Sequence, residues 1–372
     1  MKRKNLFRSR VFLLVVICSL FLSVSAQDLK TVQPGVEYAR TEKIISGLNV
    51  RINLIRLDLT KVRIDVVHAM DASIGTETTS SIAKRHNAIA AVNAGFFRLD
   101  KSIFAGEDVG VLMIDKKLLS ESLNDRIAVL ITNGKTRTDV SFAHINTSAQ
   151  IEIQKQIFQI KGIDRERKEE DLVKYTPDFH RTTLTGSGGL ELVIRRGKII
   201  AINDGKGSSI IPADGFIISA SGTFREKLLP IAKVGKKVIT RSSFSPNDMN
   251  DAEDIVAGVP QLIRDGKIDV TWEKERSSRS FVETRHPRTA IAKLKDGKIL
   301  LITIDGRSES SGGIGLADIA KYLLELGAVD AMNLDGGGST TMYLDGKVVN
   351  TPSDKEGERK IGDAIIVTLQ ND

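Results

Sequence analysis

The chain reads as an α+β protein in which strands outnumber helices: strand-rich mixed sheets, flanked by a few helices, in one large catalytic domain. Three observations lead there. Apolar and polar residues alternate over Val50 to Leu59 and again over Val62 to Val67, the period of a half-buried strand. Short apolar runs elsewhere end in tight turns, as at Asn133-Gly134, Arg196-Gly197, Asp265-Gly266 and Asp296-Gly297, which fit hairpins. The clearest helical spacing is Leu316, Ile319, Ala320, Leu323, Leu324 and Leu326, with Gly327 as its stop.

Taken in order, residues 1–26 read as a secretory signal peptide. Lys2, Arg3, Lys4, Arg8 and Arg10 precede an apolar core from Val11 to about Val24, and Val24-Ser25-Ala26 offers a cleavage site. A core of about 14 residues is short for a bilayer of about 30 Å, so no stable membrane span is expected once the leader is cleaved. Residues 27–84 form a strand-rich entry, ending in a short helix from Thr79 to His86. The catalytic domain is expected over 85–372. It starts with an apolar strand, Ala88 to Val92, that runs into Asn93-Ala94-Gly95-Phe96-Phe97. The stretch 161–185 is highly charged with little periodicity and reads as a solvated excursion. Strands resume over Leu190 to Ile194, Lys198 to Ile202 and Gly215 to Ser219. A short helix follows from Phe224, its second half disfavoured by Pro230. Beyond Pro260 come the strands at Gln261, Arg288 to Leu294, Lys298 to Ile304, Val329 to Leu334 and Ala364 to Leu369.

Charge excludes one class of partner. The formal net charge is +7, from 54 basic and 47 acidic residues. Five of those basic residues lie in the leader, which leaves 49 against 47, so no nucleic-acid partner is expected. The single cysteine, Cys18, also lies in the leader, so the mature chain has no disulfide and no thiolate ligand. The expected location is secreted, periplasmic or in the cell envelope.

The stretch Asn333-Leu334-Asp335-Gly336-Gly337-Gly338-Ser339-Thr340-Thr341 carries the strongest chemical signal. A carboxylate ends an apolar run, followed by three glycines and three hydroxyls. Consecutive glycines weaken regular structure and let a backbone approach another group closely. From residue types alone a tight turn and a site weigh equally. A second apolar run ends at Asp305-Gly306-Arg307, so strand ends are expected to converge on one pocket. Arg288 opens a strand after Arg285-His286-Pro287 and presents a fork of donors suited to carboxylate or phosphate. His286 reads as a solvated loop histidine. Asn93, Gly95, Phe97 and, beyond them, Glu107 form a third group; in isolation both phenylalanines read as core, the alternative being one in the core and the other flooring a pocket. No lysine precedes Ser339 as a phosphate-binding loop requires, and no Gly-x-Ser-x-Gly elbow is present. The five histidines show no zinc spacing, and no regular calcium loop is visible. The metal ligands are therefore unknown and no cofactor is required; the Asp-rich turns could bind a divalent cation, which nothing further in the sequence supports.

The ordered set of these pieces resembles the phosphodiester glycosidase (uncovering-enzyme-like) family. It comprises Val92 to Phe97, Ile211 to Phe216, Gly258 to Leu262, Pro287 to Ile291, Ile304 to Arg307, Asn333 to Ser339, Asn350 to Asp354 and Glu358-Arg359. Ala292 and Val259 stand where that family commonly has glycine.

The resemblance implies hydrolysis of the glycosidic bond of a sugar-1-phosphodiester, with an N-acetylglucosamine-like sugar, in an envelope or extracellular glycan. A departing phosphodiester needs little protonation but gains from a cation, which suits Arg288 and Arg359. Asp335 is then the first choice for base or nucleophile, with Asp305 and Glu107 as alternatives. Asn93, Gly95, Phe97, Arg307, Asn333, Gly336, Gly337, Gly338, Ser339 and Arg359 would bind substrate. Two alternatives stand beside this: a carbohydrate- or wall-binding protein without turnover, and a hydrolase of ordinary glycosides.

Overall fold

The structure, a computed structural model, describes residues 29–246 and 251–370. The leader expected over residues 1–26 lies outside the described residues.

An eight-stranded antiparallel sheet organises the chain. Its order is Lys30–Gln33, Val36–Ile45, Leu48–Leu57, Ile299–Ile304, Arg288–Leu294, Ala328–Asn333, Gln261–Arg264, Lys267–Ile268. The alternation seen in the sequence distributes its side chains to two faces. Val50, Ile52 and Leu54 join Ala290, Ala292, Ile302 and Ile304 on one face, where the helix Leu316–Glu325 buries Leu316, Ile319 and Leu323 against them. Ile55, Leu57, Ile291, Leu301 and Met332 face the other way, onto Val62, Ile64, Val92, Met342, Ile365 and Val367. Most of those partners belong to a five-stranded sheet ordered Lys347–Val348, Met342–Leu344, Ala90–Asn93, Asp363–Leu369, Val62–His68. The site lies where the ends of these two layers meet.

A further five-stranded sheet, Thr138–His144, Ile127–Asn133, Asp254–Ala257, Leu112–Ile114, Lys117–Ser120, packs beside them. Another joins Gly162–Ile163, Leu172–Tyr175, Gly215–Ala220, Leu190–Arg195 and Lys198–Asp204, and shares a core with the three-stranded sheet Gln156–Ile160, Asn146–Ile153, Val238–Ser245.

Two expectations are corrected. The fold is mostly β rather than α+β: strands take 47% of the chain and helices 11%. The predicted helices exist, but Thr79–Arg85 and Gly222–Leu228 are two turns each, and Leu316–Glu325 is the longest among the described residues. The charged stretch 161–185 is not a solvated excursion. It contributes strands Gly162–Ile163 and Leu172–Tyr175 and buries Tyr175 and Phe179 completely. Some of its charges are paired: Arg165 meets Glu121 at 2.7 Å and Asp171 at 2.6 Å, and Glu166 meets Arg98 at 2.5 Å. No helix among the described residues is long and apolar enough to cross a membrane.

Candidate active site

Antiparallel register gathers the predicted residues. Arg288 pairs with Ile304, and Ala290 pairs with Asn333. The start of one strand therefore sits beside the ends of its two neighbours, and Arg288, Asp305 and Asp335 emerge from the same edge. The second layer reaches this edge through Asn93, last residue of Ala90–Asn93. Its side chain is a staple rather than a free binding group. Nδ2 donates to the Asp335 carbonyl at 2.7 Å, while Oδ1 accepts from Thr289 Oγ1 at 2.7 Å and from Thr341 N at 3.1 Å. Asn333 is likewise buried, with Nδ2 donating to the carbonyls of Val259 and Leu334.

Part of Asp335 reaches the surface, but protein atoms crowd its carboxyl, and this burial pushes it up to about 6. The Gly336 N–H donates to its Oδ1 at 2.8 Å, and Arg359 and Arg288 favour the ionised form. The Ser339 hydroxyl lies near enough to do the same, although its Oγ forms no well-aligned hydrogen bond. Buried polar atoms without a protein partner concentrate here: Asn333 Oδ1, Ser339 Oγ, Thr340 Oγ1 and Thr341 Oγ1.

The glycines serve the arginines. Gly337 has φ +62°, and a Cβ there would lie 2.9 Å from Arg307 Nη2. A Cβ on Gly338 would collide with Arg359 Nη2 and Asp354 Oδ1. The expected role of the Gly336 to Ser339 amides in binding substrate is corrected for three of them. Gly336 N turns to Asp335, Gly337 N donates to Pro287 O at 2.9 Å, and Ser339 N donates to Gly336 O at 3.2 Å.

Three guanidinium groups lie about the Asp335 loop: Arg288 and Arg359 act on the Asp335 carboxyl, and Arg307 reaches Gly337. Arg288 is buried and satisfied mainly by main-chain carbonyls: Nη2 donates to Phe281 O at 2.6 Å and Thr284 O at 3.0 Å, and Nε to Ile314 O at 3.3 Å. It forms no ion pair among the described residues, and burial, with Arg307 adding repulsion, depresses it to about 10. Arg307 is exposed, also without an ion pair there, with Nη2 3.3 Å from His286 Nδ1. His286 is partly exposed and sits beside these cations, and burial together with Arg288 and Arg307 lowers its pKa. Arg359 is held by a fork of bonds to Asp354, 2.8 and 3.1 Å long.

A carboxyl pair behind Asp335 was not singled out from the sequence. Asp108 and Asp363 meet side chain to side chain, both buried, and Gly95 N donates to Asp363 Oδ1 at 2.5 Å. Two touching buried carboxyls cannot both ionise. Burial pushes Asp363 up to about 7, with Asp335 adding to the rise, and Asp108 goes well above the carboxylate range through burial and Asp363. His68 Nε2 lies 3.5 Å from Asp108 Oδ2, and burial lowers its pKa. A cavity of about 320 Å³ reaches His68 from the far side, between Val67, Asp115 and Leu119; neither Asp335 nor Arg288 lines it.

The remaining predicted residues direct their polar groups or rings elsewhere than to the Asp335 carboxyl. Glu107, neighbour of Asp108, faces away: its Oε2 accepts from Glu166 N at 3.2 Å and lies 3.5 Å from Arg98. Burial raises its pKa. Asp305 Oδ1 accepts from Thr351 N at 3.1 Å and its Oδ2 lies 4.0 Å from Arg51, so this buried, pKa-raised group anchors the Asn350-Thr351 loop. Gly95 spends its N–H on Asp363. Phe97 packs on the core around Ile82 and Ala364, and it is Phe96 that turns toward Phe281 and the arginines. No group of three or more His, Cys, Asp or Glu among the described residues is arranged to hold a metal ion.

Comparison with known proteins identifies what the chain is similar to. The sequence model of the family described as phosphodiester glycosidase matches residues 188–368, which include Arg288, Arg307, Asp335, Arg359 and Asp363. N-acetylglucosamine-1-phosphodiester alpha-N-acetylglucosaminidase from Homo sapiens is 32% identical over 176 residues, 44% of this chain and 33% of that protein. The Mus musculus counterpart is 30% identical over 174 residues, with the same coverage. The matched region thus spans about a third of the length of these relatives. An uncharacterized Rickettsia conorii protein is 27% identical over 60% of this chain and 77% of its own. Two crystal structures share the fold at 22% identity. A hypothetical protein from Synechocystis has a TM-score of 0.81, covering 93% of this chain and 64% of that one. A Burkholderia pseudomallei protein has a TM-score of 0.75, covering 86% and 74%. The resemblance read from the motifs is borne out: residues 188–368 of this chain match the sequence model of the phosphodiester glycosidase family.

Proposed function

We propose that the protein is an exported hydrolase that cleaves the glycosidic bond of a sugar-1-phosphodiester, with an N-acetylglucosamine-like sugar. One observation carries the reading: the Asp335 carboxyl, raised to about 6, stands among Arg288, Arg307 and Arg359, two of which have no acidic partner among the described residues. Near neutral pH Asp335 is mostly ionised and acts on the anomeric carbon, directly or through water. Arg288 and Arg307 take the charge that gathers on the departing phosphate. Arg359, fixed by Asp354, holds the third side of the site. Asn93 and Asn333 position the loop that carries Asp335. The curated relatives named above act on such phosphodiesters, which supports the substrate class. Export rests on the basic and apolar leader.

The Asp108–Asp363 pair favours a second reading, hydrolysis of an ordinary glycoside, because it keeps a protonated carboxyl near Asp335. Comparing turnover of an aryl phosphodiester of N-acetylglucosamine with that of the aryl glycoside separates the two. The proposed function requires the phosphodiester to be the better substrate.

A further inference from the structure

Two guanidinium groups and two phenyl rings form a row of which the hydrolytic roles use only one end. Arg288 Cζ lies 4.8 Å from the Phe281 ring centre. Phe281 meets Phe96 edge-on, with 6.0 Å between centres and 65° between planes. Arg126 Cζ lies 5.7 Å from the centre of Phe96. The row adjoins Asp335 at two points: Arg288 favours its ionised form, and Phe96 lies two residues after Ala94, whose carbonyl accepts from Asp335 N at 2.9 Å.

Arg126 is a cation with no ion pair and unused donors among the described residues. Its Nη1 donates to Val109 O at 2.9 Å, its Nε is buried without a partner, and among the described residues Nη2 has no acceptor and the side chain no ion pair. Burial lowers its pKa; Glu275 opposes this from a distance. Both Glu275 oxygens are already taken, by Ile127 N, Gln261 N and Thr271 Oγ1. A partly buried guanidinium left in this state is unfavourable unless an anion joins it. Phe96, Phe281 and Arg126 each remain partly exposed.

We propose that Arg126, with Phe96 and Phe281, forms a second oxyanion subsite beside Arg288, which receives an anionic group carried by the leaving portion of the substrate. The substrate class narrows accordingly, to sugar-1-phosphodiesters whose aglycone bears a second phosphate or a carboxylate. Arg288 takes the scissile phosphate, the ring edges floor the carbon skeleton between the two anions, and Arg126 takes the outer one with its free donors. This rests on the phosphodiester reading for the chemistry at Arg288, but not for the binding at Arg126.

Kinetics on the full chain test it, with α-N-acetylglucosamine 1-phosphate esterified to methanol, to glycerol 3-phosphate or to glycerate. The wild type is expected to favour a charged aglycone over methanol in kcat/KM by roughly tenfold, the scale of one charge-assisted contact. Arg126→Gln should erase that ratio and Arg126→Lys keep part of it; whichever charged aglycone shows the larger ratio names the source of the oxyanion. No preference in the wild type, or an equal loss on all three substrates in Arg126→Gln, overturns the subsite. Calorimetric binding of 1,3-propanediol bisphosphate separates this from the hydrolytic reading. Binding weakened roughly tenfold by Arg126→Gln supports the subsite even if no phosphodiester is cleaved, which would sink the hydrolytic reading alone. Binding unchanged by Arg126→Gln overturns it.

Discussion

The Asn93 side chain donates through Nδ2 to the main-chain carbonyl of Asp335 at 2.7 Å, joining the last residue of a strand in one sheet to the loop that leaves the other. Its Oδ1 takes two more bonds, from Thr289 and Thr341. Asn93→Ala removes all three and leaves buried donors unmet. It should cost about 2–4 kcal/mol of stability, read as a lower urea midpoint. A loss under about 0.5 kcal/mol would show that the staple does not hold the layers together.

Gly338→Ala tests the packing of the glycine loop. The new Cβ meets Arg359 Nη2 and Asp354 Oδ1, both at the ends of side chains that can yield. Stability should therefore fall by only about 1 kcal/mol, while kcat/KM on a sugar-1-phosphodiester falls about tenfold or more as Arg359 is displaced. Unchanged kinetics would remove Arg359 from the site.

Arg307→Ala separates function from folding. The side chain is exposed and forms no ion pair among the described residues, so stability should stay within about 0.5 kcal/mol of wild type. Loss of a cation from the departing phosphate should lower kcat/KM by about 10²-fold. If turnover survives intact, phosphate stabilisation falls to Arg288 alone.

The carboxyls set the pH dependence. Asp363 is raised to about 7 and Asp335 to about 6, so the folded chain keeps protons that the unfolded chain releases at ordinary carboxylate pH. That contribution to stability is lost as pH rises from about 4 through 7, by up to about 1.4 kcal/mol per unit for each proton. Asp254 and Asp164, also raised, act alike in wild type and variant. Asp363→Asn, whose amide can donate to Asp108, should flatten the fall in unfolding free energy between pH 5 and pH 8 by about one proton. Equal slopes would mean that no proton is shared. In kinetics, the acid limb of kcat/KM should lie near pH 6, where Asp335 ionises.

Much of the site was legible because it follows from turn chemistry. Asp335, Asp305 and Arg288 stand at strand ends that their flanking glycines and apolar runs announce, and antiparallel register then brings them to one edge. The helix from Leu316 was equally plain from its spacing. Fold class was not, because many short hairpins contribute strand without a long periodic signal. The pairing of Asp108 with Asp363 is a contact between distant parts of the chain, and nothing local distinguishes Asp108 from Glu107; backbone alternation alone sends one inward and the other toward Arg98. The same alternation decides between Phe96 and Phe97. In 161–185, composition reports charge but not that Arg165 and Glu166 find partners on Glu121, Asp171 and Arg98.

The most direct test of the site is Asp335→Asn, assayed on an aryl phosphodiester of N-acetylglucosamine beside a thermal melt of the same sample. Replacing a carboxyl that burial already disfavours should leave the melting temperature near that of wild type, while kcat falls by about 10³-fold or more. A folded variant that turns over at the wild-type rate would contradict the assignment of Asp335 as the reacting carboxylate.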